Sequence, residues 1–186
     1  GDMVRIYGRL FRLVMYDAGG ASRTNADAVI KAGKDYTFLI ANEDWQMLKH
    51  IRELLEDEKP TAVDEEVVSN SKSIVRKLWL REVKPTRKNL IFWKHTRTII
   101  QIDYEVYVDG KHESTYRRFA VSSLKPSQMS PERWLYLFIL RWGVETAHSI
   151  LDTAFKEDER PWTPASAQGA LAVQLLRRVA YTLMTL

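Results

Sequence analysis

Four polar side chains in the C-terminal third of the sequence could share one line along a helix: Arg141, Glu145, His148 and Asp152. Each residue advances about 100° around an α-helix, so these positions fall within roughly 60° of one another. The surrounding run, residues 134–155, is nearly all apolar, which is typical of a buried helix. Buried charge is costly unless it is paired, neutralised or bound to a metal. The polar line therefore faces a partner side chain, an ion or a cleft.

Two other interpretations of this line stay open from the residues alone. Arg141 and Glu145 are spaced i,i+4 and could form an ion pair on a solvated helix edge, with His148 as an ordinary hydrogen-bonded histidine. Glu145 and His148 also form a Glu-x-x-His pair, as in di-iron helix bundles. Such bundles need a second pair and more helices, and the sequence shows neither.

A second candidate carboxylate, Asp17, directly follows the apolar run FRLVMY at residues 11–16. One carboxylate at a strand end and another on a late helix can together build a metal site, and Mg²⁺ favours such oxygen ligands. Two-metal sites stabilise both the attacking and the leaving oxygen of a phosphodiester. Asp17 and Glu145 are therefore candidates for metal-dependent phosphoryl chemistry, although many α/β proteins end a strand in aspartate.

The elements that must position these residues follow from hydrophobic periodicity and turn signals. Residues 11–16 and 36–40 are predicted as short strands, and residues 23–33 and 43–56 as helices. This order, strand–helix–strand–helix, predicts an α/β layer with parallel strands.

The pattern changes after residue 56. Residues 56–73 are polar and are predicted as loop, whereas residues 74–124 have a β pattern with a hairpin turn at Asp109–Gly110. Ser130 suits the N-cap of the long helix, and the proline that follows suits its first position. Residues 165–186 are predicted as a final amphipathic helix.

Composition limits the class of protein. A chain of 186 residues with 45% hydrophobic residues is expected to form one folded domain or a large piece of one. The absence of cysteine excludes disulfide frameworks and thiolate metal sites. No apolar run approaches the ~18 residues of a membrane span, and the first residues do not resemble a signal peptide. We therefore expect a cytoplasmic protein with no membrane partner.

Charge is concentrated in the middle third. Residues 71–128 carry 13 Lys and Arg against 5 Asp and Glu, a net charge of +8, although the whole chain carries only +4. A basic segment with interspersed aromatic residues indicates a nucleic-acid surface, but it is also compatible with a solvated sheet face. The candidates for phosphate contacts are Arg76, Lys77, Arg81, Lys84, Arg87, Lys88, Lys94 and Arg97. Trp79, Trp93 and Trp142 could stack on bases, although core positions are the more common use of tryptophan.

Several segments, taken in order, resemble the C-terminal part of the catalytic domain of insertion-sequence DDE transposases. YDAGGASRTNADAVIKAGKDYTFLIA is similar to that family's second-aspartate segment, and RWGVETAHSILDTAFKED is similar to its third-carboxylate helix. RRFAVSSL resembles the strand that precedes this helix, and LAVQLLRRVAYTLM resembles the closing helix. Each motif is short, but their order and spacing cover most of the chain.

The resemblance implies an α/β, partial RNase H-like (DDE transposase/integrase-like) fold with a β-rich insertion at residues 60–124, before the catalytic-glutamate helix. It also implies Mg²⁺- or Mn²⁺-dependent cleavage and transfer of DNA strands by a two-metal mechanism. Asp17 would be the second catalytic carboxylate and Glu145 the third, both as metal ligands. Arg141 would hold a DNA phosphate, a role that suits its bidentate guanidinium, and His148 and Asp152 would lie close to the DNA.

The family's first aspartate lies upstream of anything that aligns with this sequence, together with the first strands of the fold. We therefore expect the isolated chain to be inactive. The strand at residues 11–16 would have an exposed edge, and exposed edges invite pairing with another chain, so a homodimer is expected. The implied partner is DNA at transposon ends, in a bacterial, nucleoid-associated setting. The alternatives are a non-catalytic DNA-binding or dimerisation module derived from such a gene, and an unrelated structural α/β protein.

Overall fold

The computed structural model describes residues 11–41, 46–84 and 91–141. Contacts divide the chain into two compact units, Gly1–Leu135 and Tyr136–Leu186. The strands are β1 Leu13–Tyr16, β2 Asp35–Ile40, β3 Ala62–Ser69, β4 Lys72–Glu82, β5 Thr98–Val108 and β6 Lys111–Ser122. The helices are α1 Arg23–Lys31, α2 Gln46–Leu55 and α3, which is described from residue 131 to residue 141.

The six strands form one mixed sheet in the order β1-β2-β6-β5-β4-β3. Strands β1 and β2 are parallel and are joined by α1, so the predicted parallel α/β layer is confirmed. All other neighbouring strands are antiparallel. The fold class is therefore mixed α/β, and strands from residues 60–124 continue the sheet that begins with β1 and β2.

The hairpin turn and the helix ends that the sequence predicts are present in the structure. Asp109 and Gly110 join β5 to β6 with φ angles of 50° and 73°, the left-handed pair that a two-residue hairpin turn requires. Gly33, just after α1, has a φ of 70°, as expected for a helix C-terminus. The Ser130 hydroxyl accepts a hydrogen bond from the Arg133 N–H at 3.4 Å, and it caps α3 as predicted.

The prediction of loop over residues 56–73 is wrong. Strand β3 occupies residues 62–69 and pairs in antiparallel register with β4. Its β-branched residues suit a strand. Its acidic residues obscured the strand pattern in the sequence, because two of them form ion pairs with Arg76 on β4. Asp64 lies opposite Arg76, and that pairing depends on cross-strand register rather than on neighbours in sequence.

The core lies between one face of the sheet and the two helices α1 and α2. The Phe38 ring stacks on Tyr16 with centroids 5.0 Å apart and contacts the Tyr36 and Trp93 rings at 4.8 Å and 5.9 Å. Val29 of α1 is buried in the same cluster. The cluster also contains Ala26, Met47, Leu48, Ile51, Leu55, Ile99, Phe119 and Val121.

Strand β5 is buried on both of its faces. Ile99 belongs to the core beneath the helices, and Ile100 and Ile102, which point to the opposite face, are also fully buried. This explains why the sequence of β5 reads as a nearly continuous apolar run instead of a clean alternation. Across the residues described, the structure contains no helix with the length and apolar character needed to cross a membrane.

Candidate functional site

Asp17 occupies the first position after β1 and its side chain is exposed. Because β1 and β2 are parallel, their carboxyl ends meet at the same edge of the sheet. Ligand sites in open α/β sheets are found outside the carboxyl ends of the strands. The carboxylate of Asp17 is therefore placed where such sites lie.

A set of local hydrogen bonds fixes the turn that carries Asp17. The Gly20 N–H donates to the Asp17 carbonyl at 2.9 Å, closing a 3₁₀ turn over Ala18–Gly20. The side-chain amide of Asn25, in the first turn of α1, donates to the Gly20 carbonyl at 2.7 Å. The Ser22 hydroxyl accepts from the Asn25 N–H at 3.1 Å and caps α1. The backbone of the turn is thus tied directly to the start of α1.

Packing on the other side of this turn favours glycine at position 20. A Cβ atom at Gly20 would lie 3.1 Å from the Tyr16 ring, closer than ordinary van der Waals contact. The Tyr16 ring cannot move away easily because it stacks on Phe38. The backbone at Asp17 consequently lies between a ring that packs in the core and a turn that is bonded to the start of α1.

The other members of the predicted carboxylate site lie beyond the part of the chain that the structure describes. Glu145, His148 and Asp152 are outside the described residues, and Arg141 is the last described residue of α3, where it is half-buried. The pairing of Asp17 with Glu145 stays a prediction. Among residues 11–41, 46–84 and 91–141 there is no group of three or more His, Asp or Glu side chains that could hold a metal ion.

Arg76, a predicted phosphate contact, is buried and already paired. Its guanidinium donates to the Asp64 carboxylate at 2.9 Å and to the Glu66 carboxylate. Burial lowers the pKa of Arg76, but the two carboxylates outweigh burial and the net pKa is raised. A phosphate could reach this guanidinium only by displacing both carboxylates.

Lys77 and Arg81 are also engaged within the fold. The Lys77 ammonium lies 2.6 Å from the Glu105 carboxylate. Arg81 donates to the Leu54 carbonyl at 2.5 Å and to Glu58 at 2.8 Å. Because Leu54 is in the last turn of α2, Arg81 satisfies a carbonyl that the helix leaves without an intrahelical partner, a role that suits a cation at a helix C-terminus.

An ion pair between a buried carboxylate and an exposed arginine was not predicted from the sequence. Asp103 on β5 is only 2% exposed, and its carboxylate accepts three hydrogen bonds from the Arg117 guanidinium on β6, at 2.6 to 3.1 Å. Gln101 donates to the same carboxylate at 3.1 Å. Asp103 and Arg117 are register partners, and only the strand alignment reveals that they face each other.

Three further predicted cations, Lys84, Lys94 and Arg97, have no carboxylate partner among the described residues. Lys94 is exposed and Arg97 is half-buried, and the Arg97 guanidinium donates to the Thr96 carbonyl at 3.4 Å. Arg87 and Lys88 lie outside the described residues, as does Trp142. Trp93 is part of the core, and the Trp79 indole N–H donates to the Glu58 carbonyl at 2.8 Å, so both have structural roles.

The Ser-Ser pair at the end of β6 ties this strand to β2. The Ser122 hydroxyl donates to the Tyr36 carbonyl at 2.8 Å and accepts from the Thr37 hydroxyl at 3.0 Å. The Ser123 hydroxyl accepts from the Tyr36 N–H at 2.9 Å and donates to the Asp35 carboxylate at 3.0 Å. The motif therefore joins the hairpin β5–β6 to the parallel pair that carries Asp17.

The Glu105 carboxylate should make stability depend on acid pH. Burial raises the pKa of Glu105, but hydrogen bonds from Lys77 and Tyr107 outweigh burial and bring the pKa below its ordinary value of 4.5. A lowered folded-state pKa adds stability above the unfolded-state value, and this stability is lost as pH falls through the folded-state pKa. Glu105→Gln should therefore destabilise the protein at neutral pH and lose that effect in acid.

Urea unfolding of the wild type and Glu105→Gln at about pH 7 and about pH 3 measures this difference. Glu113→Gln is the matched control, because Glu113 is exposed on the same hairpin and has no partner within the described residues. A difference between the wild type and Glu105→Gln that persists unchanged at the lower pH would contradict the prediction.

Searches with protein-family models and against curated proteins found no significant match to this chain.

Proposed function

We propose that this chain is part of the catalytic domain of a DDE-type DNA transposase, which cleaves and transfers DNA strands with Mg²⁺. The observation that carries the proposal is the placement of Asp17, an exposed carboxylate on an anchored turn at the carboxyl end of a parallel strand. The order of motifs that resembles this family supports it. An RNase H-like architecture is part of the same proposal, supported by the β1–α1–β2 order.

The donor chemistry of Asp17 fits Mg²⁺. The ion favours carboxylate oxygens and usually binds through one or two carboxylates together with substrate phosphates and water. Asp17 and Glu145 would hold it, and the bound metal would activate the attacking oxygen and stabilise the leaving oxygen of the phosphodiester. The contribution of the chain is orientation: Asn25 and the Gly20–Tyr16 contact hold the turn that presents the Asp17 carboxylate.

A divalent-metal titration of the chain tests the proposal. Mn²⁺, followed by electron paramagnetic resonance, should bind the wild type, and Asp17→Asn and Glu145→Gln should each weaken binding by about tenfold or more, because affinity depends on the number of charged oxygen ligands. Asp57→Asn is the control, since Asp57 is exposed in the turn after α2. If neither variant binds Mn²⁺ more weakly than the control, the catalytic proposal is wrong.

A non-catalytic module that pairs with another chain is the second candidate function. Strand β3 ends the sheet in the part of the chain that the structure describes, and it exposes Val63 and Val67 at 60% and 74%. Exposed edge strands offer backbone groups for pairing with a further strand. This function predicts a concentration-dependent dimer and Mn²⁺ binding that is indifferent to Asp17, so the same titration, with ultracentrifugation, separates the two candidates.

A further inference from the structure

Four strand ends meet at the end of the sheet opposite Asp17. The Val83 N–H donates to the Arg97 carbonyl and the Arg97 N–H donates to the Ser122 carbonyl, both at 2.8 Å. The Ser123 N–H continues the ladder to the Tyr36 carbonyl of β2 at 3.0 Å. The end of β4, the start of β5, the end of β6 and the start of β2 therefore lie side by side.

These segments place four cations at that end of the sheet, here called the basic rim: Lys84, Lys94, Arg97 and Lys125. Lys84 follows β4, Lys94 lies in the turn closed by the Thr96 N–H and the Trp93 carbonyl, and Lys125 follows β6. The three lysines are exposed.

The charges of the rim differ from those on the strands. Arg76, Lys77, Arg81 and Arg117 each contact a carboxylate, whereas no rim side chain does so within the described residues. Carboxylates therefore offset four strand cations, whereas the rim cations, like Lys72, Lys111 and Arg118 on the strands, have no carboxylate partner within the described residues.

Acidic groups near the rim do not cancel this charge. The Asp35 carboxylate is occupied by the Ser123 hydroxyl at 3.0 Å and lies 3.9 Å from the Arg12 guanidinium. Glu82 is exposed two residues before Lys84 and is the one other carboxylate on the strand ends that form the rim. The charge of Asp27 on α1 also acts on Tyr36, as does that of Arg97, so four cations against Glu82 and Asp27 still leave a net positive surface.

The rim and Asp17 are separated by the length of a strand. Asp17 lies at the carboxyl end of the β1–β2 pair, and the rim lies at the amino end of β2, which has six residues. Six residues of β-strand span about 20 Å, less than one ~34 Å turn of duplex DNA. The two sites are therefore less than one duplex turn apart along the sheet.

We propose that the basic rim binds the phosphate backbone of duplex DNA and positions it relative to Asp17, an inference that rests on the proposed function. Lysines act as point charges toward phosphates and carry no base specificity. The contact is therefore independent of DNA sequence and depends strongly on salt, because each neutralised phosphate releases bound counterions.

A triple variant tests this surface: Lys84→Gln, Lys94→Gln and Lys125→Gln. Its matched control is Lys59→Gln, Lys72→Gln and Lys111→Gln, which removes the same charge from exposed lysines elsewhere. Binding of a duplex of unrelated sequence is followed by fluorescence anisotropy as salt is raised. The rim variant should lose about 2 to 3 units from the slope of log K against log salt, since each phosphate contact contributes about 0.9. The control should keep the wild-type slope.

Equal slopes for the two triple variants would overturn the proposal that the rim binds DNA, while leaving DNA binding by the chain, and the proposed function, intact. If the wild-type chain binds the duplex with no salt dependence, both the proposal that the rim binds DNA and the transposase proposal are contradicted. Equal thermal unfolding midpoints for wild type and both variants establish that a lost slope reflects lost contacts, because all six lysines are exposed and unpaired in the described part of the chain.

Discussion

Phe38→Ala should lower the free energy of unfolding by about 3 to 5 kcal/mol, the range for truncating a buried phenylalanine. Phe38 is 0% exposed and contacts three other aromatic rings, those of Tyr16, Tyr36 and Trp93. Removing the ring loses the transfer free energy of its atoms and leaves a cavity lined by rings that cannot collapse freely. Tyr16 would also lose its stacking partner, and the Tyr16 ring lies beside Gly20 in the turn after Asp17.

Urea unfolding followed by tryptophan fluorescence measures this effect. Tyr116→Ala is the control, because Tyr116 is an aromatic residue on a neighbouring part of the sheet that is 51% exposed. Its replacement should change stability by no more than about 0.5 to 1 kcal/mol. A similar small change for Phe38→Ala would mean that the aromatic cluster is not the core of this unit.

Ser122→Ala should destabilise the protein by about 2 to 4 kcal/mol although it removes a single oxygen, because two buried donors lose their acceptor. The Ser122 hydroxyl accepts from the Thr37 hydroxyl at 3.0 Å and from the Leu124 N–H at 3.2 Å, and all three residues are buried. Each buried polar group that loses its partner costs about 1 to 3 kcal/mol. The Tyr36 carbonyl keeps a partner, because the Ser123 N–H also donates to it.

A double-mutant cycle with Thr37→Val separates this mechanism from general damage. Replacing both hydroxyl groups removes the orphaned donor as well as its acceptor, and such paired replacements can be nearly neutral. The double variant should therefore be more stable than the sum of the two single effects predicts, by about 1 kcal/mol or more. Strict additivity would show that the two hydroxyl groups do not depend on each other.

The features that the sequence determined by itself are local ones. The Asp109–Gly110 turn, the cap at Ser130 and the β1–α1–β2 unit each depend on residues within a few positions of one another, whose backbone preferences and side-chain period are readable directly. Asp17 at the end of a strand belongs to this class, since it needs only β1 to end where the apolar run ends.

The tertiary structure decided what depends on strand order and register. It placed β6 beside β2, so that Ser122 and Ser123 join them, and it set Asp64 across from Arg76 and Asp103 across from Arg117. Register is specified by burial of a whole strand face, and a shift of one residue would reverse every side chain. The basic segment of the sequence was therefore divided into cations paired with carboxylates, such as Arg76 and Arg117, and cations without such a partner in the described residues, among them the rim, only when distant carboxylates were brought beside the strands.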